Sequence, residues 1–371
     1  MQTTDVLDRW RQPSGWRRPG RVALANAPSI DPAEPMHAAL LAAGVDVLAA
    51  PLYEEGGRVG DAIAGSDVVV SGGAPLGAAF FSGLRTTRLL LRPYVGYDDI
   101  DVEAATASGV LVANVPDAIT TDVANQAMAL ILAANREVVR LDAFVRSGGW
   151  ARTRRRTPDG MVLHRPEVQT LGLVGFGRIG RATARLARPF GYRLVAHDPH
   201  VPAAVHEEHG VEMVSMEDLL RQSDVVSIHV FLSPQTYHLI DAARLALMKP
   251  GAWIVNTARG MVVDEQALVD ALREERIGGA ALDVMEREPA DPDSPLLGLP
   301  NVIVSPHVAG YSHEGSRRLR ERAAEIALQV ALCGLPQRHV VVNGDLYDTL
   351  AALPEMAAVP RPRPEEAEEG T

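Results

Sequence analysis

The stretch TLGLVGFGRIGRATARLARPFGYRLVAHD, residues 170–198, constrains the fold of this chain more than any other. An apolar run leads into a turn with glycines at Gly175, Gly177 and Gly180, a helical pattern follows, and a second strand pattern ends on Asp198. The spacing G-x-G-x-x-G is weak by itself in a chain with 32 glycines. Set between a strand and a helix, with an acid about 20 residues further on, it has the form of a dinucleotide-binding βαβ unit. Gly175 permits the tight turn, Gly177 lets a pyrophosphate approach the backbone, and Gly180 lets helix and strand pack closely. The amides of Arg178 and Ile179 open the helix, where the positive end of its dipole meets phosphate. Asp198 would accept a ribose 2′-hydroxyl and repel a 2′-phosphate, so NAD is expected in preference to NADP.

That unit belongs to the second of two βα series. In the first, strand patterns at Arg21–Asn26, Val45–Ala49, Val68–Ser71, Arg88–Arg92 and Val110–Val115 alternate with Ala-rich helical segments that stop at glycine. In the second, TLGLVGF, RLVAHD, VEMV, VVSIHV, AWIVNTA, GAALDV and NVIVSP alternate with helices, the first of which is opened by a Ser215–Asp218 capping box. Both series predict parallel sheets with helices on their faces. A helical pattern apolar around almost its whole circumference, Asp122 to Val145, lies between them and ends near Trp150. Such a helix is buried in a core or against another chain, so a homodimer is expected, with Trp150 as an interface anchor. The amphipathic pattern from His313 to Gly334 is expected to return the chain to the first unit. The Pro/Glu-rich end, VPRPRPEEAEEGT, is expected to be disordered.

Composition narrows the chemistry. Net charge is −11, which argues against nucleic acid or an anionic membrane as a partner, and the run RTRRR at 152–156 reads as a solvated turn. Cys333 is the only cysteine, so neither an internal disulfide nor a cysteine-based zinc site is expected, and no metal is expected. Lys249 is the only lysine and sits in a Pro-Gly turn that matches neither a Schiff-base nor a P-loop context. With no signal-peptide pattern and no stretch of ~18 apolar residues, a soluble cytoplasmic protein is expected.

A dinucleotide across the strand ends would face whatever those ends carry. They carry Arg259 after WIVNTA, Asp283 in AALDV and His307 after NVIVSP, with Glu288 in the loop beyond Asp283. A 2-oxo acid needs this set. Its carboxylate takes a bidentate arginine, its carbonyl oxygen takes a proton from a group titrating near neutrality, and a carboxylate behind an imidazole favours the charged form.

The motifs GFGRIG, VNTARGMVVDE, ALDVMEREP and SPHVAG, in this order over about residues 20 to 345, resemble the D-isomer-specific 2-hydroxyacid dehydrogenases. The resemblance implies two doubly wound parallel-sheet α/β domains, a flavodoxin-like substrate domain and a Rossmann NAD-binding domain. The expected division is an extension at 1–20, the substrate domain at 21–118 and 313–350, the NAD domain at 119–312, and a tail at 351–371. It also implies Arg259 as the substrate-binding, carbonyl-polarising arginine, Glu288 as partner of His307, and His307 as acid/base. Asp283 would hold the nicotinamide carboxamide, Thr257 and Ala258 would line the cofactor, and the amides of Tyr94, Val95 and Gly96 would bind the substrate carboxylate. Arg92, with GYSHEGS and VVVN, is most similar to the branch containing the C-terminal-binding proteins and suggests a second cation in the pocket.

The chain departs from common family patterns at RPYVGYDD, at Phe231, where proline is frequent, and at Asn125, where an acid is usual. The principal expectation is hydride transfer between nicotinamide and C2 of a small 2-hydroxy or 2-oxo acid. Two other readings stay open: an NAD(H)-sensing, corepressor-like binding protein, and a formate dehydrogenase. The complete Arg259/Glu288/His307 set favours the first over a sensor, and Glu288 argues against the last, because formate oxidation moves no hydroxyl proton.

Overall fold

A computed structural model of the chain describes residues 10, 20–26, 31, 33–202 and 210–353. The expected extension at 1–20 and tail at 351–371 lie almost entirely outside these. The described residues divide into two compact units, one of residues up to Ala118 and from His313 onward, the other Ile119–Ser312.

In the first unit, β1 (Arg21–Ala25), β2 (Asp46–Ala50), β3 (Val68–Val70), β4 (Leu89–Leu91) and β5 (Leu111–Ala113) form one parallel sheet in the order β2-β1-β3-β4-β5. This is the flavodoxin-like order. Runs such as VVV and LLL have no polar alternation because both faces are covered. Val22, Leu24, Val68, Val70, Leu89 and Leu91 face a layer containing Ala323, Ile326, Ala327 and Val330. Their neighbours Ala23, Val69, Leu90 and Val112 face Ile63, Phe80 and Phe81 on the other side. The chain from His313 therefore packs in this unit, as the helix His313–Leu328 extended by a π-helical turn at Gln329–Cys333.

The second unit is a seven-stranded parallel sheet of β6 (Thr170–Val174), β7 (Arg193–His197), β8 (Glu212–Met213), β9 (Val225–Ile228), β10 (Trp253–Asn256), β11 (Gly279–Leu282) and β12 (Val302–Val304). Its order, β12-β11-β10-β9-β6-β7-β8, is doubly wound, with the switch of direction between β6 and β9. The capping serine behaves as read: Ser215 Oγ accepts the Asp218 amide at 3.1 Å and donates to Asp218 Oδ2 at 2.8 Å.

The helical pattern read as one element to Val145 is two. Thr120–Asn135 ends in the polar run Asn135-Arg136-Glu137, where Glu137 takes φ 52, and Val138–Arg146 starts again in a new direction. Met128, Leu130 and Ile131 of the first helix are buried in this unit's own core with Leu171, Leu173 and Ala184, and only a stripe through Thr121, Asn125 and Ala129 is exposed. The second helix has no buried residue. No helix among the described residues is long and apolar enough to cross a membrane.

Candidate active site

The carboxyl edge of the seven-stranded sheet collects the chemistry. At the end of β6, Gly175 has φ 94, and a Cβ there would lie 2.8 Å from the carbonyl carbon of His229. A Cβ on Gly180 would lie 2.3 Å from the Gly175 oxygen, whereas one on Gly177 would meet nothing within 4 Å. The three glycines therefore do different things: one turns, one is packed on, and one leaves open space. Gly177 caps the helix Arg178–Ala187 with no side chain, so the first-turn amides, including those of Arg178 and Ile179, have no side-chain cap acceptor. Asp198 is held in place at the end of β7. Its Oδ2 accepts the Phe176 amide at 2.8 Å and its Oδ1 the His200 amide at 2.9 Å.

His229 directly follows β9, beside this turn. His229 Nε2 lies 3.0 Å from Ser227 Oγ, while its Nδ1 is buried and has no hydrogen-bond partner. Burial pushes its pKa down to about 4, so the ring is neutral in ordinary buffers. Thr257, after β10, carries a second buried polar atom without a partner, Oγ1. Open space at Gly177, an uncapped helix start, an anchored acid at Asp198 and two unmatched polar atoms along the same edge suit a polar, phosphate-bearing dinucleotide.

The loop after β10 is stapled by Asn256, whose Oδ1 accepts the Ala258 amide at 3.0 Å and whose Nδ2 donates to the Arg259 carbonyl at 2.8 Å. The next loop comes very close: a Cβ on Gly260 would lie 2.0 Å from the Met285 carbonyl. That second loop carries Glu288, whose Oε1 accepts the Met285 amide at 3.1 Å. Its Oε2 is 2.6 Å from His307 Nδ1.

His307 occupies the left-handed region at φ 54, uncommon for a side chain other than glycine and enriched at working sites. The conformation is held from below by Asp283. The Asp283 carbonyl accepts the His307 amide at 2.8 Å, its Oδ1 accepts the Ser305 hydroxyl and the Val308 amide, and its Oδ2 accepts the Ala309 amide at 2.7 Å. Gln126 adds a hydrogen bond to Ser305 Oγ at 3.2 Å. Asp283, read from sequence as a carboxamide ligand, thus spends three acceptor positions on the histidine loop.

The electrostatics follow from this placement. The hydrogen bond to Glu288 raises the His307 pKa against its burial, the charges of Glu288 and Asp283 add to the rise, and Arg259 opposes it. Burial alone would raise Glu288, but the bond and charge of His307, the Met285 amide and the charge of Arg259 outweigh it and hold the carboxyl below its usual value. Arg259 acts on both members of the pair, and its own Nη1 donates to the Ala258 carbonyl at 2.8 Å. Such a group of residues can keep a proton on an imidazole next to a cation that binds a carboxylate.

In the first unit, the Tyr94 and Val95 carbonyls are tied down by the Val115 amide and Asn114 Nδ2. No hydrogen bond among the described residues engages the amides of Tyr94, Val95 or Gly96. Arg92 is held from within the unit. It is 2% exposed, and its guanidinium donates to the Ser71 and Ala74 carbonyls and to Asp99 Oδ1 at 2.7 Å, so it braces two loops, a role not read from the sequence. Lys249 pairs with Asp224 at 2.9 Å, and Phe231 and Trp150 are 64% and 57% exposed.

Sequence reading missed Asn256, Ser305, Gln126 and His229. An asparagine closing the apolar run WIVN was the one available signal. The others depend on which loops meet.

Residues 128–309 match the family model described as D-isomer specific 2-hydroxyacid dehydrogenase, NAD binding domain. The chain is 45% identical over 251 residues to a glyoxylate reductase of Korarchaeum cryptofilum, covering 68% of this chain and 75% of that protein. It is 39% identical over 270 residues to a D-3-phosphoglycerate dehydrogenase of Methanocaldococcus jannaschii, covering 72% and 48%. Among solved structures, a glyoxylate reductase from Paecilomyes thermophila superposes with a TM-score of 0.76 at 29% identity over 88% of this chain and 100% of that one. A D-lactate dehydrogenase from Aquifex aeolicus, complexed with NAD and lactic acid, superposes with a TM-score of 0.72 at 26% identity over 83% and 94%.

Proposed function

The chain belongs to the D-isomer-specific 2-hydroxyacid dehydrogenase family, an NAD-dependent group of oxidoreductases, and from that premise we propose that it interconverts a small 2-oxo acid and its 2-hydroxy acid, with His307 as the proton donor and acceptor. The carrying observation is the 2.6 Å contact between His307 Nδ1 and Glu288 Oε2, with the charge of Arg259 reaching both residues.

Held at this edge, a reduced dinucleotide would give hydride to C2 in reduction, and an oxidised one would accept it from C2 in oxidation. Everything else falls to this chain. With Nδ1 bound to Glu288, Nε2 is the nitrogen that gives its proton to the carbonyl oxygen in reduction and recovers it from the hydroxyl in oxidation. The Arg259 guanidinium holds the substrate carboxylate and draws electron density from the carbonyl. Asp283 keeps the His307 loop in its left-handed turn, and Asn256 fixes the loop of Arg259. Asp198 takes the ribose 2′-hydroxyl and gives the preference for NAD(H). A sensor that only bound NAD(H) would have no use for a proton shuttle, and formate, with no hydroxyl proton, would need none either.

Glyoxylate, the substrate in the names of several relatives, is the first 2-oxo acid to test. We place a second copy of the chain on the exposed helix Val138–Arg146. Val138, Val139 and Val145 are about half exposed there, next to an apolar groove lined by Leu132, Pro166 and Phe190. The test is NADH oxidation, followed at the nicotinamide absorbance, against a series of 2-oxo acids. Wild type should turn over at least one of them. His307→Gln should lose on the order of 10²–10⁴ in turnover, the usual worth of acid–base catalysis, with NADH affinity nearly unchanged. Near-native turnover in that variant would remove His307 from the reaction.

A further inference from the structure

Two residues before Glu288, the same loop carries a second glutamate that the reaction does not use. Glu286 Oε1 lies 2.6 Å from His238 Nε2, and it also accepts the Glu265 amide at 3.2 Å. Glu265 returns the interaction, its Oε2 accepting the Glu286 amide at 3.0 Å. The two glutamates thus exchange side-chain-to-backbone bonds between the loop after β11 and the first turn of the helix Glu265–Arg273. That helix directly follows the loop of Arg259.

His238 is itself fixed. Its amide donates to the Met261 carbonyl at 2.8 Å, its ring stacks on Tyr237 with centroids 4.0 Å apart, and its Nδ1 faces Asp264 Oδ2 at 3.9 Å. The Met285 and Glu286 amides, adjacent in the chain, are therefore donated to two different carboxylates, Glu288 and Glu265. A loop held at one amide by the helix can hold its next carboxylate still at the other.

We propose that Glu286, gripped by His238 and exchanging hydrogen bonds with Glu265, is a positioning residue that fixes the Glu288 carboxylate on His307. The proposal rests on the reading of His307 as proton donor. The titratable groups around Glu286 are His238, Asp264 and Glu265, with Arg287 on its own loop paired to Asp291. Those around His307 are Glu288, Arg259 and Asp283. A loosened Glu286 would act on His307 only through Glu288, because losing the fixed carboxylate removes what raises the imidazole pKa.

The experiment measures kcat/KM for glyoxylate reduction against pH in Glu286→Ala, Glu286→Gln and Glu265→Ala, with NADH binding followed by fluorescence. Glu286→Ala should move the falling limb to lower pH, in the direction of Glu288→Gln but by less, lowering kcat more than it raises KM. Glu286→Gln should restore the wild-type profile, since an amide oxygen still accepts from His238 and from the Glu265 amide. An unmoved limb in a Glu286→Ala protein that binds NADH normally overturns the proposal. If that variant does not fold, Glu265→Ala breaks the same exchange from the helix side, and an unmoved limb there overturns it equally. His307→Gln is run alongside: its retention of turnover would sink the proton-donor reading, whereas its collapse with unmoved limbs would sink only the role of Glu286.

Discussion

Replacing Glu288 by glutamine separates its charge from its hydrogen bond. The glutamine oxygen can still accept the His307 Nδ1 proton, but the Glu288 charge is gone and only that of Asp283 still favours imidazolium. In the native protein the hydrogen bond to Glu288 is the main influence raising the His307 pKa, ahead of the burial that opposes it and the Glu288 charge that adds to it. In the role proposed for His307, reduction needs imidazolium and oxidation needs neutral imidazole. Reduction therefore falls, and oxidation rises, as pH passes upward through that pKa. Lowering the pKa moves both limbs to lower pH. An opposite charge at this range shifts a pKa by about 1–3 units. The side chains of His307 and Glu288 are 48% and 36% exposed. Solvent screening of so exposed a pair keeps the downward shift at the low end of that range. Above the native pKa, that costs about tenfold in reduction at fixed pH; below both pKa values, the variant should approach wild type. The assay is steady-state kcat/KM in both directions from acid to mildly alkaline pH, where kcat/KM reports the free enzyme. A limb that stays put, or moves to higher pH, refutes the electrostatic role given to Glu288.

Two further outcomes test other parts of the molecule. Asp198→Ser should weaken NADH by roughly 10- to 100-fold, since hydrogen bonds to a charged group contribute about 1.5–3 kcal/mol, and should narrow the gap to NADPH; equal use of both cofactors by the wild type would show the ribose assignment to be wrong. Val139→Glu on the exposed helix Val138–Arg146 should turn a dimer into a monomer in sedimentation at micromolar concentration, and a wild type that already sediments as a monomer would exclude the partner copy.

The two parallel sheets were readable because each strand is a short apolar run closed by a local stop, and burial on both faces removes any need for alternation. Strand ends moved by a residue or two, and β8 shortened to Glu212–Met213, because ladder pairing, not composition, decides where a strand ends. The Asp122–Val145 pattern misled for a related reason. Its apolar circumference describes a buried helix correctly as far as Asn135, but the left-handed turn at Glu137 that splits it leaves no mark in periodicity.

By itself the sequence determined what is local in the chain. The Gly175-Gly177-Gly180 turn, its strand, its helix and the acid at Asp198 lie within one 29-residue stretch, so backbone geometry and motif coincide. It also placed Arg259, Asp283 and His307 at strand ends, which in a parallel sheet share one edge. Only the tertiary structure decided the partners. Glu288 meets His307 across 19 residues and Glu286 meets His238 across 48. Asp283 turned out to grip the histidine loop, and Arg92 to brace two loops from within, 21 residues from the Ser71 carbonyl it binds. A side chain's neighbours across such separations depend on how successive βα units stack, and hydrogen bonds of about 3 Å are decided by that stacking and not by spacing along the chain.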